Sequence, residues 1–183
     1  MRRTTPACAA CLAACLFLPP AHALDLRPDS IFVTAGGATD DVTNLGVGIA
    51  WDWNWERLRR KAEVTGHTEL LVSHWRARGF GGGDQGFGQL VVLPVLRMQL
   101  RQGRSPWFLE AGIGVSWMDR LYITPDKVFS KQFNFYDMVG LGYKFGERDR
   151  HELGLRYVHV SNGDLKKPNP GEDFVLLRYA VRF

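Results

Sequence analysis

Cysteine is missing from most of this 183-residue chain, because Cys8, Cys11 and Cys15 all lie near its N-terminus. The remainder can form no disulfide framework and offers no thiol for catalysis. Long hydrophobic runs are scarce too. Beyond the N-terminal segment no window of about 18 uncharged apolar residues occurs, so no transmembrane helix is expected. These absences argue against a disulfide-stapled domain, a thiol enzyme and a helical membrane protein.

Net charge is also low. The formal charge is +4, and without Arg2 and Arg3 it falls to +2, because 21 basic residues then face 19 acidic ones. No basic stripe is present, so nucleic acid is not an expected partner. The histidines are scattered, and their spacing predicts no metal site. We expect no cofactor.

The N-terminal segment has the features of a secretory signal peptide. A positively charged start precedes an apolar stretch over residues 7–18, and Ala21-His22-Ala23 has the small-x-small pattern of a cleavage site. Leu12-Ala13-Ala14-Cys15 resembles a lipobox, which leaves a lipoprotein signal as the alternative. We expect residues 1–23 to be cleaved and residues 24–183 to form one domain.

The rest of the chain alternates between apolar and polar residues, which indicates strands with two different faces. Eight strands are predicted, at residues 29–37, 43–54, 60–75, 87–101, 106–119, 132–146, 151–161 and 173–183. Most exceed the length of about 5–6 residues that is usual in soluble domains. They match the roughly 9–11 residues that cross a bilayer at a tilt.

The two faces indicate an all-β fold, an eight-stranded antiparallel transmembrane β-barrel. One face is almost wholly apolar with tryptophans near the strand ends, as expected of a wall that meets lipid. Asp137 and His74 are polar exceptions on that face, which a bulge or a register error of one residue would explain. The other face carries glycines and charges suited to a narrow interior: Glu110, Lys144, Glu152, Arg156, Arg178 and Arg182.

Connections of two lengths indicate the orientation of the barrel. Tight turns are predicted at residues 54–59, 102–105 and 146–150, and longer loops at 76–86, 121–131 and 162–172. Outer-membrane barrels have short periplasmic turns and longer extracellular loops. Phe183 ends an alternating strand, which resembles the C-terminal signature of outer-membrane barrel proteins. We therefore expect a bacterial outer-membrane protein with its long loops outside the cell.

His159 and Ser161 stand two residues apart near the end of the seventh strand, so their side chains share a face. Leu153, Leu155 and Tyr157 precede them on that face and suit lipid better than water. A nucleophile beside a base is the arrangement that serine hydrolases need. The alternative is an interfacial histidine and serine that only touch lipid headgroups.

A third group should orient the histidine, and Asp173 and Glu172 both lie across the hairpin. Counting alternate residues back from Phe183 puts Asp173 on the outer face, whereas a bulge at the strand start would bring Glu172 there. Ester hydrolysis also needs donors for an oxyanion. The connecting loop offers the amides of Asn162 and Asn169 and the backbone N–H groups of Gly163 and Gly171. These residue types also favour turns on their own account.

The run His159-Val160-Ser161-Asn162-Gly163, then Pro168-Asn169-Pro170-Gly171, an acid and a last strand, resembles the lipid A 3-O-deacylase (PagL) family. The resemblance implies an outer-membrane barrel with its active site on the outer wall, facing the outer leaflet. It also implies hydrolysis of the ester that holds the 3-hydroxyacyl chain at position 3 of lipid A. His159 would be the base, Ser161 the nucleophile and the loop asparagines part of the oxyanion site. The family's acid is a glutamate, and its spacing from the histidine falls on Asp173.

The implied partner is lipid A within lipopolysaccharide. Loop lysines suit its phosphates, although surface lysines are common: Lys127, Lys131, Lys166 and Lys167. The oligomeric state stays open, with a homodimer among the alternatives. The alternative function is a non-enzymatic barrel, structural or adhesin-like, which would share the strands but would not need His159 and Ser161.

Overall fold

The computed structural model describes residues 26–58 and 61–183. The expected signal peptide, residues 1–23, and the cysteines within it lie outside the described residues. The strands are β1 (Ser30–Ala38), β2 (Val42–Leu58), β3 (Ala62–Arg78), β4 (Asp84–Leu100), β5 (Trp107–Met118), β6 (Phe133–Phe145), β7 (His151–Ser161) and β8 (Glu172–Arg182). A short 3₁₀ turn, Glu147–Asp149, precedes β7. Within the described ranges, no helix has the length and apolar character needed to span a membrane.

Neighbouring strands pair antiparallel, and β1 also pairs with β8, which closes the sheet into a barrel. Closure leaves the described strands without a free edge. The predicted eight-stranded antiparallel barrel is thereby confirmed. The β1–β2, β3–β4, β5–β6 and β7–β8 connections lie at one end, which we call the loop end. The other connections lie at the opposite end, which we call the turn end.

The second strand is longer than predicted. The sequence predicts a tight turn at residues 54–59, but β2 runs on to Leu58. Its pairing with β3 shifts between Asp52 and Glu56, a bulge that lets the strand continue past the irregular residues. The prediction was wrong here because a bulge resembles a turn in local composition.

The β3–β4 loop is shorter than predicted. The sequence predicts a long loop over residues 76–86, but β3 and β4 pair as far as Arg78 and Asp84. Arg76 forms an ion pair with Asp84, and Arg78 binds Asp41 at 2.6 Å. The charged side chains at these strand ends therefore have partners of opposite charge nearby. Their presence does not end the strands.

The barrel interior holds a buried network of charges. Nη1 and Nη2 of Arg156 lie 2.7 Å from carboxylate oxygens of Glu69 and Glu110, respectively. Arg97 binds Glu110 at 2.7 Å and Glu152 at 2.5 Å. Each buried charge thus has a partner that offsets the cost of its desolvation. The prediction of inward-facing charges is confirmed for Glu110, Glu152, Arg156 and Arg178, which are all buried in this network.

Aromatic side chains close the lumen at the loop end. The β5–β6 loop, residues 119–132, folds inward and buries Tyr122 and Phe129, whose ring centroids are 5.0 Å apart. Trp75 and Phe174 lie beside them, with centroids 4.6 Å apart. The packed core is therefore inside the barrel, whereas the outer wall exposes apolar side chains, as a lipid-facing surface does.

Candidate active site

His159 and Asp173 are direct partners in the β7–β8 pairing, on the outward face of the wall. Nδ1 of His159 lies 2.7 Å from Oδ1 of Asp173, and both side chains are partly exposed. A carboxylate at Nδ1 favours the tautomer with its proton there, which leaves Nε2 able to accept another. The pair is therefore arranged as the base and the orienting acid of a hydrolase.

Tyr157 belongs to the same cluster. Its hydroxyl donates a 2.8 Å hydrogen bond to Oδ1 of Asp173, the oxygen that also faces His159. Sequence reasoning grouped Tyr157 with the lipid-facing residues and missed this contact. The sequence did offer one signal for it. Tyr157 lies on the same outward face as Asp173 and diagonally across from it in the β7–β8 pair, within reach of a long side chain. The carboxylate is thus held by two neighbours.

Glu172, the alternative acid, lies on the lumen side of the wall. It is fully buried and accepts a 3.0 Å hydrogen bond from the Tyr122 hydroxyl. The Lys127 ammonium lies 2.7 Å from Glu172 and 3.0 Å from Asp40. Glu172 therefore joins the β5–β6 loop to the barrel, on the opposite side of the wall from His159.

Both partners of Glu172 keep their protons. Burial raises the pKa of the Tyr122 phenol, and the adjacent Glu172 carboxylate raises it further. Burial alone would lower the pKa of the Lys127 ammonium, but its hydrogen bonds to Glu172 and Asp40 outweigh burial and raise that pKa. Lys127 thus points into the protein and is engaged by Glu172 and Asp40, so it is less available to a lipid phosphate than an ordinary loop lysine.

Ser161 is the last residue of β7 and follows the same alternation as His159. It is only 9 % exposed, and its Oγ accepts a 3.5 Å hydrogen bond from the backbone N–H of Gly163. Among residues 26–58 and 61–183, no hydrogen bond joins His159 to Ser161. The structure therefore brings the two to one face without direct bonding. Catalytic hydrogen bonds often tighten only when substrate binds.

Two glycines lie against the site. Gly171 has a φ of +71°, and a Cβ atom there would lie 2.7 Å from Cε1 of His159. Gly163 has a φ of +60°, and a Cβ atom there would lie 2.8 Å from Cε2 of Phe135. Both the left-handed backbone and the lack of space require glycine at these two positions. Sequence reasoning had considered their N–H groups and their preference for turns, but not their closeness to these two rings.

Asn162 and Asn169 organise the β7–β8 loop. The backbone N–H of Asn162 donates to Oδ1 of Asn169 at 2.9 Å. Nδ2 of Asn162 donates to Oγ of Ser130 at 3.0 Å and to the carbonyl of Lys166 at 2.9 Å. Nδ2 of Asn169 donates to Asp164 at 3.1 Å. Both amides are engaged in holding the loop, and Ser130, which nothing in the sequence indicated, ties it to the β5–β6 loop.

The two lysines of this loop differ in their surroundings. Lys167 pairs with Asp164 at 2.7 Å, and this hydrogen bond holds the pKa of the Asp164 carboxyl below its usual value. Lys166 is exposed, and its backbone carbonyl accepts the hydrogen bond from Ser130 at 2.7 Å. Of the two, Lys166 is the cation more accessible to a phosphate.

An apolar groove of about 860 Å³ opens beside His159 on the outer wall. It crosses β6, β5 and β4 toward Trp53 of β2. Its apolar lining includes Pro94, Leu96, Ala111, Ile113, Met138 and Val139. Asp137 is a carboxylate in this lining, next to His159. A serine, a carboxylate-bound histidine and an apolar groove together suit the hydrolysis of an ester that carries a long hydrocarbon chain.

Comparisons with known proteins agree with this chemistry. A family model described as lipid A 3-O-deacylase (PagL) matches residues 44–182. The chain is 27% identical over 175 residues to the lipid A deacylase PagL of Pseudomonas aeruginosa, which covers 93% of this chain and 95% of that protein. It is 35% identical over 130 residues to the lipid A deacylase PagL of Bordetella bronchiseptica, which covers 71% of this chain and 66% of that protein.

A solved structure resembles the whole barrel. The crystal structure of the outer membrane enzyme PagL aligns with a TM-score of 0.73 and 26% identity, over 84% of this chain and 99% of that one. The outer-membrane location expected from the sequence is confirmed by this likeness. A homodimer gains no support from any of these matches.

Proposed function

This chain belongs to the lipid A 3-O-deacylase (PagL) family, and from that premise we propose that it hydrolyses the ester-linked 3-hydroxyacyl chain at position 3 of lipid A by a serine mechanism. The observation that carries the mechanism is the 2.7 Å contact between His159 and Asp173 on the outward face that also carries Ser161. The loop end would face the outer leaflet, where lipid A lies, with the site at the height of its ester bonds.

The first half of the reaction forms an acyl-enzyme. Nε2 of His159 takes the proton of Ser161 while Oγ attacks the ester carbonyl. Asp173 keeps the other imidazole proton on Nδ1 and stabilises the imidazolium. The backbone N–H of Gly163, 3.5 Å from the serine oxygen, is the proposed donor to the oxyanion. The intermediate then collapses, and the sugar oxygen leaves with the proton from His159.

The second half releases the fatty acid. His159 takes a proton from a water molecule, and the hydroxide attacks the acyl-serine ester. Collapse of the second tetrahedral intermediate breaks the bond to Ser161, which regains its proton from the imidazolium. One ester and one water are consumed, and one fatty acid and one sugar hydroxyl are produced.

A substrate held in the membrane would reach this site from the side. The groove of about 860 Å³ leads away from His159 along the wall and would take a hydrocarbon chain without admitting it to the lumen. The exposed Lys166 would meet a phosphate of lipid A at the headgroup level, because an ammonium is a suitable partner for phosphate. This arrangement supports lipid A as the substrate.

The test is the mass spectrum of lipid A from a host that produces the protein. The unsubstituted protein should remove one 3-hydroxyacyl chain, and Ser161→Ala should remove none although it folds and inserts equally, as judged by heat-modifiable gel mobility. Ser105→Ala, in the β4–β5 connection at the turn end, is the matched control and should act like the unsubstituted protein.

Two results would contradict the proposal. If the unsubstituted protein leaves lipid A unchanged in several hosts, the non-enzymatic barrel is the better description. If Ser161→Ala keeps full activity, the protein is a deacylase but Ser161 is not its nucleophile.

A further inference from the structure

Three cations come together at the turn end of the barrel. Lys61 directly precedes β3, and Arg101 and Arg104 belong to the connection between β4 and β5. The backbone N–H of Arg101 donates to the carbonyl of Lys61 at 2.9 Å, and that of Arg104 donates to the carbonyl of Arg101 at 3.3 Å. The three residues, with Leu100 and Gln102, line a pocket of about 500 Å³, which we call the turn-end pocket.

The turn-end pocket has no acid in its described lining. Within the part of the chain that the structure describes, no ion pair reaches any of its three cations. The Arg104 side chain donates only to neutral oxygens, the Arg101 carbonyl at 3.4 Å and the Gln102 side-chain carbonyl at 3.3 Å. Glu63 approaches the same turn, but its carboxylate lies beside Gly103 and lines a separate cavity in the lumen. The positive charge of the pocket therefore favours an anion.

One edge of the turn-end pocket is apolar and continues into the lipid-facing wall. Leu100 ends β4 with 54% of its surface exposed, and Leu96 and Met98 precede it on the same outward face. Outer-membrane barrels have their short connections on the periplasmic side, so the pocket lies at the level of the inner-leaflet headgroups. A lipid there would place its headgroup among the cations and its acyl chains against the wall.

We propose that the turn-end pocket binds an anionic phospholipid of the inner leaflet. Lys61, Arg101 and Arg104 hold its phosphate, and Leu100 contacts its acyl chains. Arginine suits this role because its planar guanidinium can donate two parallel hydrogen bonds to one phosphate. Each lysine or arginine near a membrane surface raises the affinity for anionic lipid roughly fivefold. The inference goes beyond the proposed deacylase function and does not depend on it, since His159 lies toward the other end of the barrel.

The experiment is a lipid titration of the full chain in detergent micelles, followed by native mass spectrometry. Phosphatidylglycerol is compared with phosphatidylcholine that carries the same acyl chains, because the second headgroup has no net charge. The unsubstituted protein should bind phosphatidylglycerol more tightly. The double variant Arg101→Gln/Arg104→Gln should bind it roughly thirtyfold more weakly, because two of the three cations are lost, and its binding of phosphatidylcholine should not change.

Arg148→Gln/Arg150→Gln is the matched control. It also removes two positive charges at the turn end, but from the β6–β7 connection, where Glu147 and Asp149 lie beside them. This variant should bind phosphatidylglycerol nearly as tightly as the unsubstituted protein. Equal weakening in the two double variants, both with intact heat-modifiable mobility, would mean that net charge and not the pocket attracts the lipid, and the inference would be overturned.

Two further results would overturn the inference. The first is equal affinity of the unsubstituted protein for the two lipids, which would mean that the cations do not select a charged headgroup. The second is binding of soluble glycerol 3-phosphate as tight as that of phosphatidylglycerol, which would identify the occupant as a free phosphate ester and not a lipid.

Discussion

Gly171 packs so closely against His159 that a methyl group on it would lie 2.7 Å from Cε1 of the imidazole. On another side of the same ring, the Asp173 carboxylate lies 2.7 Å from Nδ1. The orientation of the histidine is therefore set by a backbone contact and a hydrogen bond together. This geometry gives a glycine of the β7–β8 loop a direct part in positioning the proposed base, beside its acidic partner.

Gly171→Ala should lower turnover by on the order of a hundredfold, because displacing a catalytic group by about 1 Å has an effect of that size. The measurement is the initial rate of lipid A deacylation in detergent. Gly81→Ala is the matched control, since Gly81 also has a positive φ, +87°, but has nothing within 4 Å of the added Cβ. Equal losses in the two variants would mean that backbone strain, and not the histidine, is responsible.

Asp173→Asn and Glu172→Gln should separate the two acids. The first removes the charge at Nδ1 and should reduce kcat by on the order of a thousandfold or more. The second leaves Asp173 in place and should keep turnover within a few fold, but it weakens the buried contact with Lys127. We expect its free energy of unfolding in urea to fall by about 1–3 kcal/mol. The reverse order of turnover losses would assign the triad acid to Glu172.

Tyr157→Phe should lower kcat about fivefold with little change in KM. The substitution keeps the aromatic ring on the wall and removes only the 2.8 Å hydrogen bond to Asp173, a loss of about 1 kcal/mol. Tyr143→Phe, at the turn end of β6, is the control and should leave both constants unchanged. A raised KM with unaltered kcat would show instead that the Tyr157 hydroxyl contacts the substrate.

Ser130→Ala should loosen the β7–β8 loop. Its hydroxyl donates to the carbonyl of Lys166 at 2.7 Å and accepts from Asn162 at 3.0 Å, and each bond is worth about 1 kcal/mol. Limited trypsin digestion should therefore cleave after Lys166 sooner in the variant, and turnover should fall several fold. An unchanged digestion rate would mean that Asn162 and Asn169 hold the loop without Ser130.

Asp173 was predictable because barrel strands keep strict alternation between two environments. β8 runs without a bulge, so the count back from Phe183 through Tyr179 and Val175 reaches the residue that pairs with His159. The same alternation predicted the eight strands and the inward charges. Strand ends were less predictable, since polar residues near Asn54 and Arg76 are compatible with a turn, a bulge or a paired strand.

The supporting contacts were not predictable, because they depend on side chains that meet across long distances in the chain. Ser130 and Asn162 are 32 residues apart and belong to different loops. Tyr157 is a residue type expected at any membrane interface, and only the position of its hydroxyl reveals the hydrogen bond to Asp173. Gly171 resembles an ordinary turn glycine until the imidazole beside it is located.

The filled lumen has a consequence for the outer membrane as a permeability barrier. Trp75 and Phe174 pack edge to face beneath the loop end, and elsewhere in the lumen Arg156 bridges Glu69 and Glu110. A solute crossing by this route would have to separate packed rings and buried ion pairs, whereas wide barrels of 16–18 strands enclose an aqueous channel. With the candidate site on the outer wall and packed rings across the loop end of the described lumen, the protein should be tolerated at high abundance without making the cell leak.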